Sequence, residues 1–151
     1  MADDKPRLRV ARGFTEGIPH NRALGIEVVD MERSMAVFKL HYDAKLVGNP
    51  DVGTLHGGAI TALLDAASGA SVFAALTEWV PIATLDLRID YLRAGEPGRD
   101  VQARAHCYKL THNVAFTRAV AYHDDEQDPI ATSSGTFMLG TKAAGDPKKA
   151  P

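Results

Sequence analysis

Residues 55–77 read LHGGAITALLDAASGASVFAALT, a run with one carboxylate, Asp65, and no lysine or arginine. Its length is close to that of a membrane span. Ten of the residues from Gly57 to Ala75 are glycine or alanine, however, which makes the run weakly hydrophobic, and a carboxylate at mid-span would be costly. No second stretch of this kind supports a membrane protein. A helix that is apolar on nearly every side is instead a core helix, enclosed by protein, and its small residues let a sheet approach closely.

The sequence around this helix reads as strands. Thr84–Leu92 (TLDLRIDYL) alternates, with Leu85, Leu87, Ile89 and Tyr91 on one face and Asp86, Arg88 and Asp90 on the other. Val101–Cys107 alternates likewise. Val114–Tyr122 and Ile130–Leu139 are β-branched or aromatic runs separated by HDDEQDP, a hairpin loop. GEPGRD at 95–100 and THN at 111–113 are turns. Gly25–Asp30 and Met35–His41 form a further hairpin ahead of the helix. Strand runs on both sides of one helix indicate an α+β fold in which an antiparallel sheet wraps the helix, not alternating βαβ units.

The chain has 151 residues, 45% hydrophobic and 24% charged, which suits one soluble domain. That domain is expected over 21–140. An N-terminal extension over 1–20 carries a short helix ending near Gly17–Pro19, and a tail over 141–151 (TKAAGDPKKAP) is expected to be disordered. Seventeen basic against nineteen acidic residues exclude the basic excess of a dedicated nucleic-acid binder. Cys107 is the only cysteine, so no intrachain disulfide or thiolate cluster forms. The opening MADDKPRLRV is charged where a signal peptide needs an apolar core, so a cytoplasmic location is expected.

Asp65 is the anomaly of the core helix. An ionised carboxylate among apolar side chains is costly unless it is paired, hydrogen-bonded or facing a cavity, and such groups concentrate at functional sites. The plainer alternative is that it caps backbone groups or pairs with an arginine such as Arg88 or Arg118. At the helix start, His56-Gly57-Gly58 places unpaired N–H groups where a partial positive charge favours an anion or oxyanion. Two glycines before a helix serve a tight loop equally well. Gly57 and Asp65 are eight residues apart, about 12 Å along a helix at ~1.5 Å per residue. A base or nucleophile must come within about 3–3.5 Å of the carbon whose oxygen the donor holds. One helix therefore cannot supply both groups to one carbonyl. If they cooperate, Gly57 comes from one subunit and Asp65 from another across a two-fold axis.

At these residues the sequence resembles the hot-dog fold thioesterases, and among them the PaaI-like acyl-CoA thioesterases. The resemblance is carried by GNPDVGTLHGG (48–58), AITALLD (59–65), TLDLRIDYLR (84–93) and GTF (135–137), and it spans residues 20–140. It implies a sheet wrapped around a central helix, a homodimer with shared active sites that often pairs into a homotetramer, and hydrolysis of an acyl-CoA thioester with no metal or organic cofactor. It implies that Asp65 is the catalytic carboxylate, as general base or nucleophile, and that the Gly57 N–H polarises the thioester carbonyl. Thr84 matches a Ser or Thr that places Asp65 or the attacking water, and His56 matches the histidine at the mouth of the helix, beside Gly58.

Many family members carry Asn or Gln six residues before that histidine. Here the position is Pro50, so Asn49 fills the role if the loop holds one extra residue. Asp51 is the weaker substitute, because it would set a second anion near Asp65. The acyl pocket is expected between paired helices, lined around Leu64, Ser68 and Phe73, for an aromatic or medium-chain acyl group. Arg88, Arg93, Lys109 and Arg118 are candidate partners for the coenzyme A phosphates, none singled out. Competing readings are a hot-dog dehydratase or hydratase, which would want a catalytic histidine paired with an acid, and a non-catalytic acyl-CoA-binding sensor, which would want an output element. A purely structural subunit would leave Asp65 unexplained.

Overall fold

A computed structural model describes residues 6–141. The apolar run forms α3 (Gly57–Ala75), and twelve of its residues are buried. It is the one described helix long and apolar enough to cross a membrane, and its enclosure makes it a core helix. Ahead of it lie α1 (Pro6–Glu16), α2 (Pro19–Leu24), β1 (Ile26–Glu32), β2 (Met35–Leu40), a 3-10 turn at Ala44–Leu46, and the short strands β3 (Val47–Asn49) and β4 (Thr54–Leu55). After it come β5 (Ile82–Tyr91), β6 (Val101–Leu110), β7 (Val114–Tyr122) and β8 (Ala131–Leu139).

Six strands form one antiparallel sheet in the order β1-β2-β6-β7-β8-β5, and α3 packs into its concave face. This is the expected hot-dog arrangement. Alternation along the strands builds the core: Ala36, Phe38 and Leu40 of β2, Ala103 and Ala105 of β6, and Ala119 and Ala121 of β7 point inward against Leu63, Leu64 and Ala67 of α3. The alanines of both layers bring sheet and helix close together, and each large apolar side chain buried there stabilises the fold by about 1.5–3 kcal/mol.

Several features depart from the expected outline. The N-terminal segment forms two helices rather than one. Gly25 ends the second in the left-handed region at φ 70° and donates its N–H to the Arg22 carbonyl. The small β3–β4 ladder has no counterpart among the expected strands. The strand expected from Thr84 begins at Ile82 and carries a bulge between Thr84 and Asp86. Leu85 is the extra residue and is 53% exposed, so it does not share the inner face with Leu87 as plain alternation suggests. The expected tail lies, beyond Thr141, outside the described residues.

Candidate active site

The bulge in β5 decides how the site is built. Thr84 pairs with Phe137 and Leu87 with Gly135, and Phe137 and Gly135 lie two apart on β8 and share its inner face. Inserting Leu85 thus brings Thr84 onto the same helix-facing side as Leu87 and Ile89. There its hydroxyl donates to Asp65 Oδ1 at 2.9 Å. Asp65 is half-buried on α3 and accepts this hydroxyl, not an arginine. Arg88 instead pairs with Asp90, and Arg118 lies over the Tyr108 ring at 4.6 Å.

Asp65 and Thr84 open onto a cavity of about 490 Å³, otherwise lined mostly by apolar groups including Ala66, Gly69, Phe73, Ile82 and Phe137. Phe73 is one of the residues around it. Leu64 and Ser68 are not: both are fully buried on the side of α3 that faces the sheet. The reason is helical period. Asp65, Gly69 and Phe73 follow at steps of four and share one stripe, whereas Leu64 and Ser68 lie on the adjacent stripe, which the sheet covers.

The first turn of α3 is organised by different contacts. His56 is the N-cap, and its Nδ1 accepts the Gly58 N–H at 2.8 Å. That bond places the ring proton on Nε2 and makes the histidine part of the helix end itself. Gly57 N–H is one of the first-turn groups with no intrahelical acceptor. Its carbonyl accepts the Tyr91 hydroxyl at 2.6 Å, and the same hydroxyl lies 2.9 Å from Thr61 Oγ1. A Cβ on Gly57 would come within 3.2–3.3 Å of the Tyr91 phenol, so any larger residue there would push the phenol back by a few tenths of an ångström. In the sequence Tyr91 reads only as a strand residue. Seven residues separate it from Thr84, so plain alternation sets the two on opposite faces, and only the bulge at Leu85 brings both to the helix side.

Asn49 lies at this end of α3, not beside Asp65. Its side-chain oxygen accepts the Asp51 N–H at 3.0 Å and its carbonyl accepts the Gly53 N–H at 2.8 Å, which closes the loop ahead of β4. β3 runs close over His56, since a Cβ on Gly48 would sit 2.8 Å from the His56 Cα. His56 and Gly58 line a cleft of about 450 Å³, and Gly57 lines another of about 280 Å³ with Tyr91. A single chain therefore brings Asp65 and Thr84 together at one place, and Asn49, His56, Gly57 and Gly58 together at another. Among the described residues no group of three or more His, Cys, Asp or Glu could hold a metal ion.

A sequence profile of the thioesterase superfamily matches residues 52–130, from the loop before the helix to the start of the last strand. The chain belongs to the thioesterase superfamily. This thioesterase is 35% identical over 144 residues to the medium/long-chain acyl-CoA thioesterase YigI of Escherichia coli K12, an alignment covering 87% of this chain and 92% of that one. A crystal structure of a Pseudomonas aeruginosa protein shares 43% identity with a TM-score of 0.80, covering 88% of this chain and 98% of that one. The phenylacetic acid degradation protein PaaI of Thermus thermophilus is 28% identical with a TM-score of 0.70, covering 80% and 98%. The enzyme class follows from the family: this chain is a thioester hydrolase.

Proposed function

We propose that this thioesterase hydrolyses medium- to long-chain acyl-CoA, with Asp65 as the catalytic carboxylate. The observation that carries the reading is the Thr84 hydroxyl donating to Asp65 where both line a mostly apolar cavity. The cavity would take the acyl chain, and its volume lies within the range of ordinary ligand pockets. The name of the YigI relatives supports an aliphatic acyl group. Likeness to PaaI keeps aromatic acyl groups as a second reading.

In this mechanism Asp65 takes a proton from water as the water oxygen attacks the thioester carbonyl carbon. Negative charge gathers on the carbonyl oxygen, where a helix N-terminal N–H stabilises it by several kcal/mol. The carbon–sulfur bond then breaks, and the sulfur leaves as the thiol of coenzyme A with its proton returned. Asp65 acting as nucleophile would give the same products through an anhydride. Thr84 fixes the carboxylate rotamer and acts as a positioning residue.

Gly57 lies about 12 Å along α3 from Asp65, at ~1.5 Å per residue, so the N–H that serves Asp65 comes from a second subunit. A two-fold pair of antiparallel α3 helices would set Gly57, Gly58, His56 and Asn49 of each chain beside Asp65 and Thr84 of the other. The open edge of β5, with Leu85 and Leu92 more than half exposed, supports such pairing. Further pairing into a tetramer is compatible with it. Thiol release from aromatic and aliphatic acyl-CoAs, run beside sedimentation velocity, tests the proposal. Turnover by a dimer or tetramer is expected; full activity in a monomer would refute the shared site.

A further inference from the structure

The Asp65 cavity has a far end that the chemistry does not use. Asp65, Gly69 and Phe73 descend along one stripe of α3, about 6 Å apart at ~1.5 Å per residue. A Cβ on Gly69 would meet Phe14 Cε1 at 3.6 Å, Ile82 Cδ1 at 3.7 Å and Phe137 Cε1 at 3.7 Å. Side chains from three other elements thus converge on the gap that this glycine leaves. Ile82 and Phe137 are fixed by the paired strands β5 and β8. Phe14 is different: it is half-buried on α1, outside the sheet, and its ring stands edge-on to Phe73 with centroids 4.9 Å apart. Phe73 in turn lies 5.0 Å from the Trp79 ring. Buried Asn21 holds this contact in place, its amide donating to the Phe14 carbonyl at 3.0 Å and tying α2 to α1.

We propose that Phe14, facing Gly69, sets the length of acyl chain this thioesterase accepts. The inference rests on the reading that the cavity holds the acyl group. Phe14 is an end wall supplied by the N-terminal helix pair, and it closes onto Gly69 to within about a methyl's width, so the chain runs from Asp65 down to that wall. Removing the ring lengthens the slot past α3's lower turns, and a branched side chain at Gly69 closes it one turn below the carboxylate.

The test is kcat/KM on saturated acyl-CoAs from hexanoyl to stearoyl for wild type, Phe14→Ala and Gly69→Val. Phe14→Ala is expected to raise the palmitoyl-to-octanoyl ratio about tenfold, and Gly69→Val to lower it by a similar factor. Phe14→Leu and Gly69→Ala, which fits at van der Waals distances, give smaller shifts in the same directions should the larger changes unfold the protein. A wild-type ratio in all four variants overturns the proposal. Binding of free fatty acids of the same lengths, followed through Trp79, the only tryptophan, reads the slot without turnover. If wild type cleaves no acyl-CoA, the hydrolytic reading fails alone. The fatty-acid series still upholds the proposal when the preferred length moves with the variants, and overturns it when the length stays fixed.

Discussion

Replacing Thr84 with valine keeps the shape of the side chain and removes the hydroxyl that donates to Asp65 at 2.9 Å. A hydrogen bond to a charged group contributes about 1.5–3 kcal/mol. Thr84 is exposed and Asp65 half-buried, so solvent screening favours the lower end of that range. If about 1.5 kcal/mol of transition-state stabilisation goes with the bond, kcat/KM falls about tenfold. On the proposed mechanism the hydroxyl orients Asp65 and does not hold the acyl chain, so the loss belongs in kcat, with KM close to wild type. Thr84→Ser keeps a donor on the same backbone and is expected to retain activity to within about threefold, a change worth under 1 kcal/mol. The assay is steady-state thiol release, with thermal unfolding run in parallel to show that the fold is intact. A Thr84→Val enzyme with wild-type kcat would refute the positioning role, as would Thr84→Ser failing as badly as valine.

Two further outcomes test the scaffold. Gly48→Ala puts a methyl group 2.8 Å from the His56 Cα, a backbone atom that cannot swing aside, so β3 must shift off the helix cap. The expected loss is about 1–3 kcal/mol, seen as a Tm lowered by several degrees in a chain of this size. Glu27, at 2.9 Å from His41 Nε2, raises the His41 pKa above its usual value, aided by Asp100 at 3.0 Å from Nδ1 and opposed by partial burial. The folded value exceeds the unfolded one, so this stabilisation is complete below the unfolded value and fades as pH rises through the folded value. His41→Gln should therefore lower Tm near pH 5.5 more than near pH 9, by the equivalent of at most about 1 kcal/mol given the exposure of the pair. An equal loss at both pH values would contradict the charge-based account.

The core helix and the inner sheet were legible because their chemistry repeats. The run 55–77 has no charged face, and β6 to β8 alternate over enough residues for period two to stand out. Asp65 was legible as an exception to that pattern. The β3–β4 ladder was not, since VGN and TL are too short to show a period and are shaped by close backbone approach to His56. The bulge at Leu85 was hidden for a related reason: TLDLRID alternates without a flaw, and only pairing with β8 shows that Thr84 and Leu87 share a face. Leu64 and Ser68 lie away from the cavity of the single chain, and a helix apolar on all sides gives no sign of which stripe meets the sheet and which meets the cavity. Tyr91 and Phe14 act through contacts across the fold, with Gly57 and with Phe73, that no local spacing encodes.

The central claim is that Asp65 performs the hydrolysis. Thiol release by wild type and Asp65→Asn on the best acyl-CoA substrate tests it most directly, with circular dichroism confirming that both are folded. The amide keeps the size of the side chain and can still meet the Thr84 hydroxyl, but it cannot take a proton from water. Loss of a general base is expected to lower kcat by about 10²–10⁴-fold while substrate still binds. A folded Asp65→Asn enzyme with undiminished turnover would contradict the account.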